Sequence, residues 1–175
     1  LDKQKIEEGI RLILEGIGED IKREGIIDTP RRVASMYEDI LSGIAQDPYS
    51  VIKEIPTDFS SNKENTLISI KDIKFYSLCE HHLLPFFGKV DIFYLPTPGK
   101  IVGLSKIAKV VDILSKRLQV QERLTWQIAD VLMDKLQPKG LYVKVKAEHL
   151  CLSMRGVKKE DAVIITTAKR GTFKY

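Results

Sequence analysis

The sequence predicts an α+β protein: an N-terminal helical pair, then a four-stranded antiparallel sheet with two helices on one face. Three observations predict it. Apolar residues recur at helical spacing up to about residue 44. From Thr66 the pattern changes to β-branched and aromatic residues of strand type. The segments then follow the order two helices, two strands, two helices, two strands, with no internal repeat.

Each element has its own signal. Ile6, Ile10, Ile13, Leu14 and Ile17 give the first helix one apolar face, and Gly16 and Gly18 end it. Asp28-Thr29-Pro30 starts the second helix. Thr29 is expected to cap the free N–H groups, and Pro30 at the first helical position loses no hydrogen bond. Val33, Met36, Tyr37, Ile40, Leu41 and Ile44 form its apolar face, with Gly43 near the end. Residues 45–64 read as irregular, with turn signals at Asp47-Pro48 and Ser60-Ser61-Asn62. Leu67–Ser77 and Phe87–Leu95 read as strands, and Pro96-Thr97-Pro98-Gly99 as a turn. Ile107, Val110, Val111 and Leu114 mark a helix from about Ser105. Val120, Leu124, Ile128, Val131 and Leu132 mark another, ended by Gln137-Pro138-Lys139-Gly140. Leu141–Met154 alternates as a strand, and Asp161–Ala168 reads as the last one. The expected organisation is a helical region over 1–48 and a sheet-bearing domain over 49–175, one structural unit overall.

Composition excludes several classes. A chain of 175 residues fits one domain. With 43% hydrophobic and 30% charged residues it has the balance of a soluble globular protein. Scattered Gly and Pro exclude collagen-like and low-complexity chains. Uncharged stretches such as Leu83–Gly88 and Ile92–Gly99 fall far short of a membrane span. No apolar signal-peptide core stands at the start, and the opening Leu1 is what a trimmed chain would show. The net charge of +4 suits an anionic small molecule. It does not require nucleic acid, since the basic residues are dispersed without a stacking aromatic pattern. Two Cys are too few for a disulfide framework, so a reducing, cytoplasmic setting is expected.

The chemistry concentrates in two places. Both Cys and all three His lie in Cys79-Glu80-His81-His82 and His149-Leu150-Cys151. Thiolate and imidazole are zinc ligands. The first cluster sits at a strand-to-loop boundary. The second is expected on a strand, where His149 and Cys151, two apart, would share a face. Five donors exceed the three that hold a catalytic zinc. Two Cys and one His as ligands would leave two His for proton transfer. Four ligands would close a structural site, and buried thiols beside unrelated His also fit the spacing.

Two further segments bear on anions and bases. Gly103-Leu104-Ser105-Lys106 precedes a helix, where backbone N–H groups can face a phosphate, and Lys106 and Lys109 share a face. An ordinary Ser-capped helix reads the same way. Gln121-Glu122-Arg123 opens the next helix. A carboxylate there can accept the N–H donors of a guanine edge, or simply favour the helix dipole. Arg32, taken alone, reads as a surface charge.

Together these segments resemble the GTP cyclohydrolase I family. The carrying stretches are Gly25–Ala34, Cys79-Glu80-His81-His82, Gly103–Lys106, Gln119–Thr125, Ala147–Cys151 and Met154-Arg155-Gly156, in family order. The resemblance implies the tunnelling fold (T-fold) and a homo-oligomer, typically a decamer, with active sites at subunit interfaces. It implies zinc (Zn2+) on Cys79, His82 and Cys151, with His81 and His149 as proton-transfer residues. Glu122 would anchor guanine with Gln121 beside it. Leu104, Ser105, Lys106, Lys109, Arg155 and Arg32 would meet the rest of GTP, chiefly its triphosphate. The implied reaction opens the imidazole ring of GTP at C8, releases formate and forms 7,8-dihydroneopterin triphosphate, the first step of folate and tetrahydropterin synthesis. Two positions depart from the family pattern: Lys109 stands where Arg is common, and Ser35 where Lys is common. Lys109 keeps the charge without the bidentate fork. Those departures leave a zinc-and-nucleotide-binding module without turnover as one alternative. Another T-fold enzyme, acting on a pterin or deazapurine, is a second. The Cys-rich donor set and Glu122 argue against the latter.

Overall fold

The computed structural model describes residues 1–56, 66–98 and 100–173, with the side chains of residues 54–56, 100 and 101 left aside. The expected Ser60-Ser61-Asn62 turn and Gly99 lie outside these residues. The chain forms two compact units, Leu1–Ser42 and Gly43–Tyr175.

The first unit is a helix pair, α1 (Lys3–Gly16) packed on α2 (Thr29–Ile40). Asp2 caps α1 by accepting the Lys5 N–H at 3.1 Å. At the other end Gly18 takes a φ of +82°, open to glycine, and Glu19 N–H reaches back to the Leu14 carbonyl at 2.9 Å. The expected cap of α2 shifts by one residue. Asp28 occupies the N-cap without a side-chain cap bond, and Thr29 is already helical. Pro30 still sits in the first turn, where its missing N–H is harmless.

The second unit opens just after Ser42, within a 3-10 turn, Ser42–Ala45. It holds β1 (Glu54–Pro56), β2 (Ile68–Cys79), β3 (Pro85–Leu95), β4 (Lys100–Val102), α3 (Leu104–Ser115), β5 (Leu118–Gln119), α4 (Gln121–Leu136), β6 (Gly140–His149), α5 (Leu150–Ser153) and β7 (Val163–Gly171). The main sheet has the order β5-β2-β3-β6-β7. The expected four antiparallel strands are there as β2, β3, β6 and β7. A fifth is added: β5 runs parallel to β2, pairing Leu78 with Leu118 and Cys79 with Gln119. The sheet is therefore mixed. β1 and β4 form a separate antiparallel pair inside or next to segments read as irregular. Strands of two or three residues are too short to show a period.

Burial explains the layering. Along β6, Leu141, Val143, Val145 and Ala147 point inward while Lys144, Lys146 and Glu148 alternate away. α3 packs on β2 with Ile107, Val110, Val111 and Leu114, and α4 packs on β6 and β7 with Leu124, Ile128 and Leu132. Each such side chain, fully removed from water, contributes about 1.5–3 kcal/mol. In β2 a bulge between Ile70 and Ile73 lets Asp72 turn out at φ 59°, where it pairs with Lys89 at 2.7 Å. At Gly88 a Cβ would overlap the Lys146 carbonyl and lie 2.7 Å from Ala147 Cα, so only glycine lets β3 and β6 close up here.

The last correction concerns β6. It ends at His149 rather than continuing to Met154, and Leu150–Ser153 coil into one helical turn. His149 and Cys151 therefore do not share a strand face. His149 is the extended residue that precedes the turn, and Cys151 lies within it.

Candidate active site

Cys79 is the last residue of β2, and the chain reverses tightly before Pro85 opens β3. Two main-chain bonds clamp that reversal: Leu83 N–H donates to the Cys79 carbonyl and Cys79 N–H to the Leu84 carbonyl, both at 2.9 Å. Leu83 adopts φ 54°, a strained value for a side-chain-bearing residue, in the same turn. From the other side, Glu80 N–H donates to the Gln119 carbonyl of β5 at 3.0 Å. The Glu80 carboxylate pairs with the Arg123 guanidinium of α4. Arg123 Nε also donates to Gln119 Oε1 at 3.2 Å, and Gln119 Nε2 donates to Gln127 Oε1 at 2.8 Å. The Cys79–His82 turn is thus braced by an edge strand and a helix.

Onto this turn folds the helical turn after β6. The donor atoms of Cys79, His82 and Cys151 all lie within 4.8 Å of one another, and Cys79 Sγ is 3.8 Å from His82 Nδ1. Ligands on a tetrahedral zinc, with bonds of about 2.0–2.3 Å, sit about 3.5–3.8 Å apart. The donor set therefore fits such an ion with little closure. Its electrostatics fit as well. Burial pushes the Cys151 thiol above the usual range, and the neighbouring Cys79 adds to that. Two thiolates side by side need a cation. Cys79 is buried, Cys151 half-buried and His82 exposed, so the cluster opens to one side. Arg155 lies at that side, its Nη1 3.1 Å from His82 Nε2.

His149 stands apart from the donor triad. Its ring stacks on Phe86, with centroids 4.7 Å apart and planes 7° from parallel. The two residues are register partners across β3 and β6, which forces the stack. Its Nε2 meets Gln121 Oε1 at 2.7 Å. Burial holds the His149 pKa below the ordinary histidine value, against the opposing pull of the Glu122 carboxylate. His81 is exposed, with its Nε2 3.9 Å from the Glu80 carboxylate.

The other expected residues divide. Gln121 is 2% exposed and turned inward, its amide among strand groups. Glu122 lies exposed in the first turn of α4 and its field reaches His149. Leu104, Ser105 and Lys106 form the exposed first turn of α3, with Lys109 one turn on. Gly103 is the N-cap there, so Ser105 is not the cap. Arg32 belongs to the first unit, on α2, and lies 3.7 Å from the Asp28 carboxylate.

Sequence reasoning missed Phe86, Gln119, Thr125 and Thr166. Thr125, four residues after Gln121 on one helix, carried a signal in its spacing; Thr166 carried none.

The sequence is similar to those of known proteins. The GTP cyclohydrolase 1 of Clostridioides difficile (strain 630) is 53% identical over 173 residues, which cover 99% of this chain and 90% of that protein. The GTP cyclohydrolase 1 of Carboxydothermus hydrogenoformans is 52% identical over 173 residues, covering 99% of this chain and 88% of that protein. A solved structure, the archaeosine synthase QueF-Like in its apo form, matches 62% of this chain and 97% of its own at 17% identity and a TM-score of 0.47, too loosely to bear on the fold. The family model described as GTP cyclohydrolase I matches residues 6–175. With the paired Cys, the adjacent His and the helix-opening Gln121-Glu122 all in place, the chain belongs to the GTP cyclohydrolase I family.

Proposed function

We propose that the protein hydrolyses GTP at C8 of the guanine ring, releasing formate and forming 7,8-dihydroneopterin triphosphate. The observation that carries this reading is the convergence of Cys79, His82 and Cys151 to within 4.8 Å, with His149 held nearby but outside the triad. Three protein donors are the number that leaves a catalytic site open. Zinc bound there would supply Lewis acidity and an ionisable water.

The chain's own residues do the rest. Glu122, exposed at the start of α4, accepts the N–H donors along the guanine edge and so orients C8 toward the triad. Ser105, Lys106 and Lys109 on α3, with Leu104 beside them, and Arg155 supply hydrogen bonds and positive charge for the triphosphate. Residues on separate elements suit a site completed by a second subunit, as in the decameric T-fold assembly the family resemblance implies. His81 and His149 move protons: one protonates a ring nitrogen, which makes C8 more electrophilic. Such help contributes roughly 10² to 10⁴ in rate. Among the described residues no helix is long and apolar enough to cross a membrane, and the reducing cytoplasm suits two free thiols.

The test is to incubate metal-replete protein with GTP and follow formate and a dihydropterin that fluoresces after oxidation. Both products are expected. Absence of both, with metal retained, overturns the reading. Cys151→Ala should lose metal and turnover together.

A further inference from the structure

Gln121, itself buried, sits at the centre of a half-buried circuit in which its two Nε2 protons are shared among three acceptors. Its Nε2 lies 3.2 Å from the Val145 carbonyl, 3.1 Å from the Ile164 carbonyl and 3.1 Å from Thr166 Oγ1. The first two are main-chain oxygens of β6 and β7 and can only accept. Turning the amide over would press Oε1 against both, so the nitrogen must face the strands. The hydroxyls agree. Thr125, fully buried, donates its single proton to the Gln121 main-chain carbonyl at 2.7 Å. Thr166, 2.6 Å from Thr125 Oγ1, must therefore donate to it, which leaves Thr166 Oγ1 to accept from Gln121. Every link is decided without reference to His149.

What remains is Oε1, which only accepts. It faces His149 Nε2 at 2.7 Å. That nitrogen must carry the hydrogen, and in the neutral ring Nδ1 keeps the lone pair. The Phe86 stack fixes the ring plane independently. The geometry points to Gln121 as a positioning residue that holds His149 as its Nε2–H tautomer, with the Nδ1 lone pair left outside the circuit. This moves Gln121 away from the substrate contact expected from the sequence. Its catalytic meaning rests on the function proposed above.

The three histidines make the test tractable. Metal-replete protein labelled with ¹³C,¹⁵N-histidine is studied by magic-angle-spinning NMR at about pH 8, above the ordinary histidine range. His149 is assigned by the signals missing in His149→Gln. The expected ring correlates its N–H with Cδ2 and Cε1, the Nε2–H pattern. A correlation with Cγ and Cε1 would place the hydrogen on Nδ1 and overturn the proposal. This measurement stands even if Gln121→Leu fails to fold. Gln121→Leu should populate both tautomers and lower kcat about 100-fold, with KM for GTP within about threefold. A rise in KM alone, kcat unchanged, would make Gln121 a substrate contact and overturn the positioning role. Protein that shows the Nε2–H pattern yet turns over no GTP supports the positioning and removes the proposed reaction instead.

Discussion

Gly88→Ala tests how closely β3 and β6 must approach for the site to form. A Cβ at Gly88 would overlap the Lys146 carbonyl oxygen and stand 2.7 Å from Ala147 Cα. Both neighbours are backbone, so no rotamer change relieves the clash. Relief requires the strands to separate locally by about 1 Å, against a normal spacing of about 4.8 Å. That opening stretches the flanking ladder bonds beyond hydrogen-bonding range. Two such bonds contribute about 1 kcal/mol each, and overpacking adds about 1–3 kcal/mol. The expected loss is about 3–5 kcal/mol. Because Phe86 and His149 pair two register steps away, their stacking should loosen as well. Urea unfolding at one fixed protomer concentration, followed by circular dichroism, measures the loss. A Gly88→Ala protein within about 0.5 kcal/mol of the parent would refute the close approach and the register on which the site is built.

Three other outcomes are expected. Gly9→Ala should stabilise the first unit by about 0.5–1 kcal/mol in thermal or urea unfolding, because no atom lies within 4 Å of the added Cβ and α1 gains helix propensity. Thr125→Val keeps the volume but takes the acceptor from the half-buried Thr166 hydroxyl; a loss of about 1 kcal/mol is expected, and urea midpoints of both proteins measure it. Metal uptake, titrated with a chromophoric competitor, should weaken steadily as pH falls. Cys79 and Cys151 must shed protons to ligate, and the Cys151 thiol already resists ionisation through burial and its Cys79 neighbour.

The candidate donor set was readable along the chain because Cys and His are scarce and their donor atoms keep their identity in any fold. Helix α4 was readable for a similar reason: sixteen residues give the 3.6 period room to show. β1, β4 and β5 were not, since two or three residues have no period. β6 was overextended because Leu150 and Leu152 still alternate with polar or small residues past His149, although they fall on the opposite phase from Leu141–Ala147 and the chain coils there. That coil, not a shared strand face, brings Cys151 to Cys79.

The sequence by itself determined the kinds of atom available: two thiols, three imidazoles, a helix-opening carboxylate and a cluster of cations. Local composition is enough for that, because donor strength and charge belong to single side chains. Only the tertiary structure decided what Gln121 does. Its partners lie 24, 28, 43 and 45 positions along the chain, on β6, at its end and on β7. A hydrogen bond has a direction only once both its atoms are placed, and that placement comes from packing α4 on the sheet.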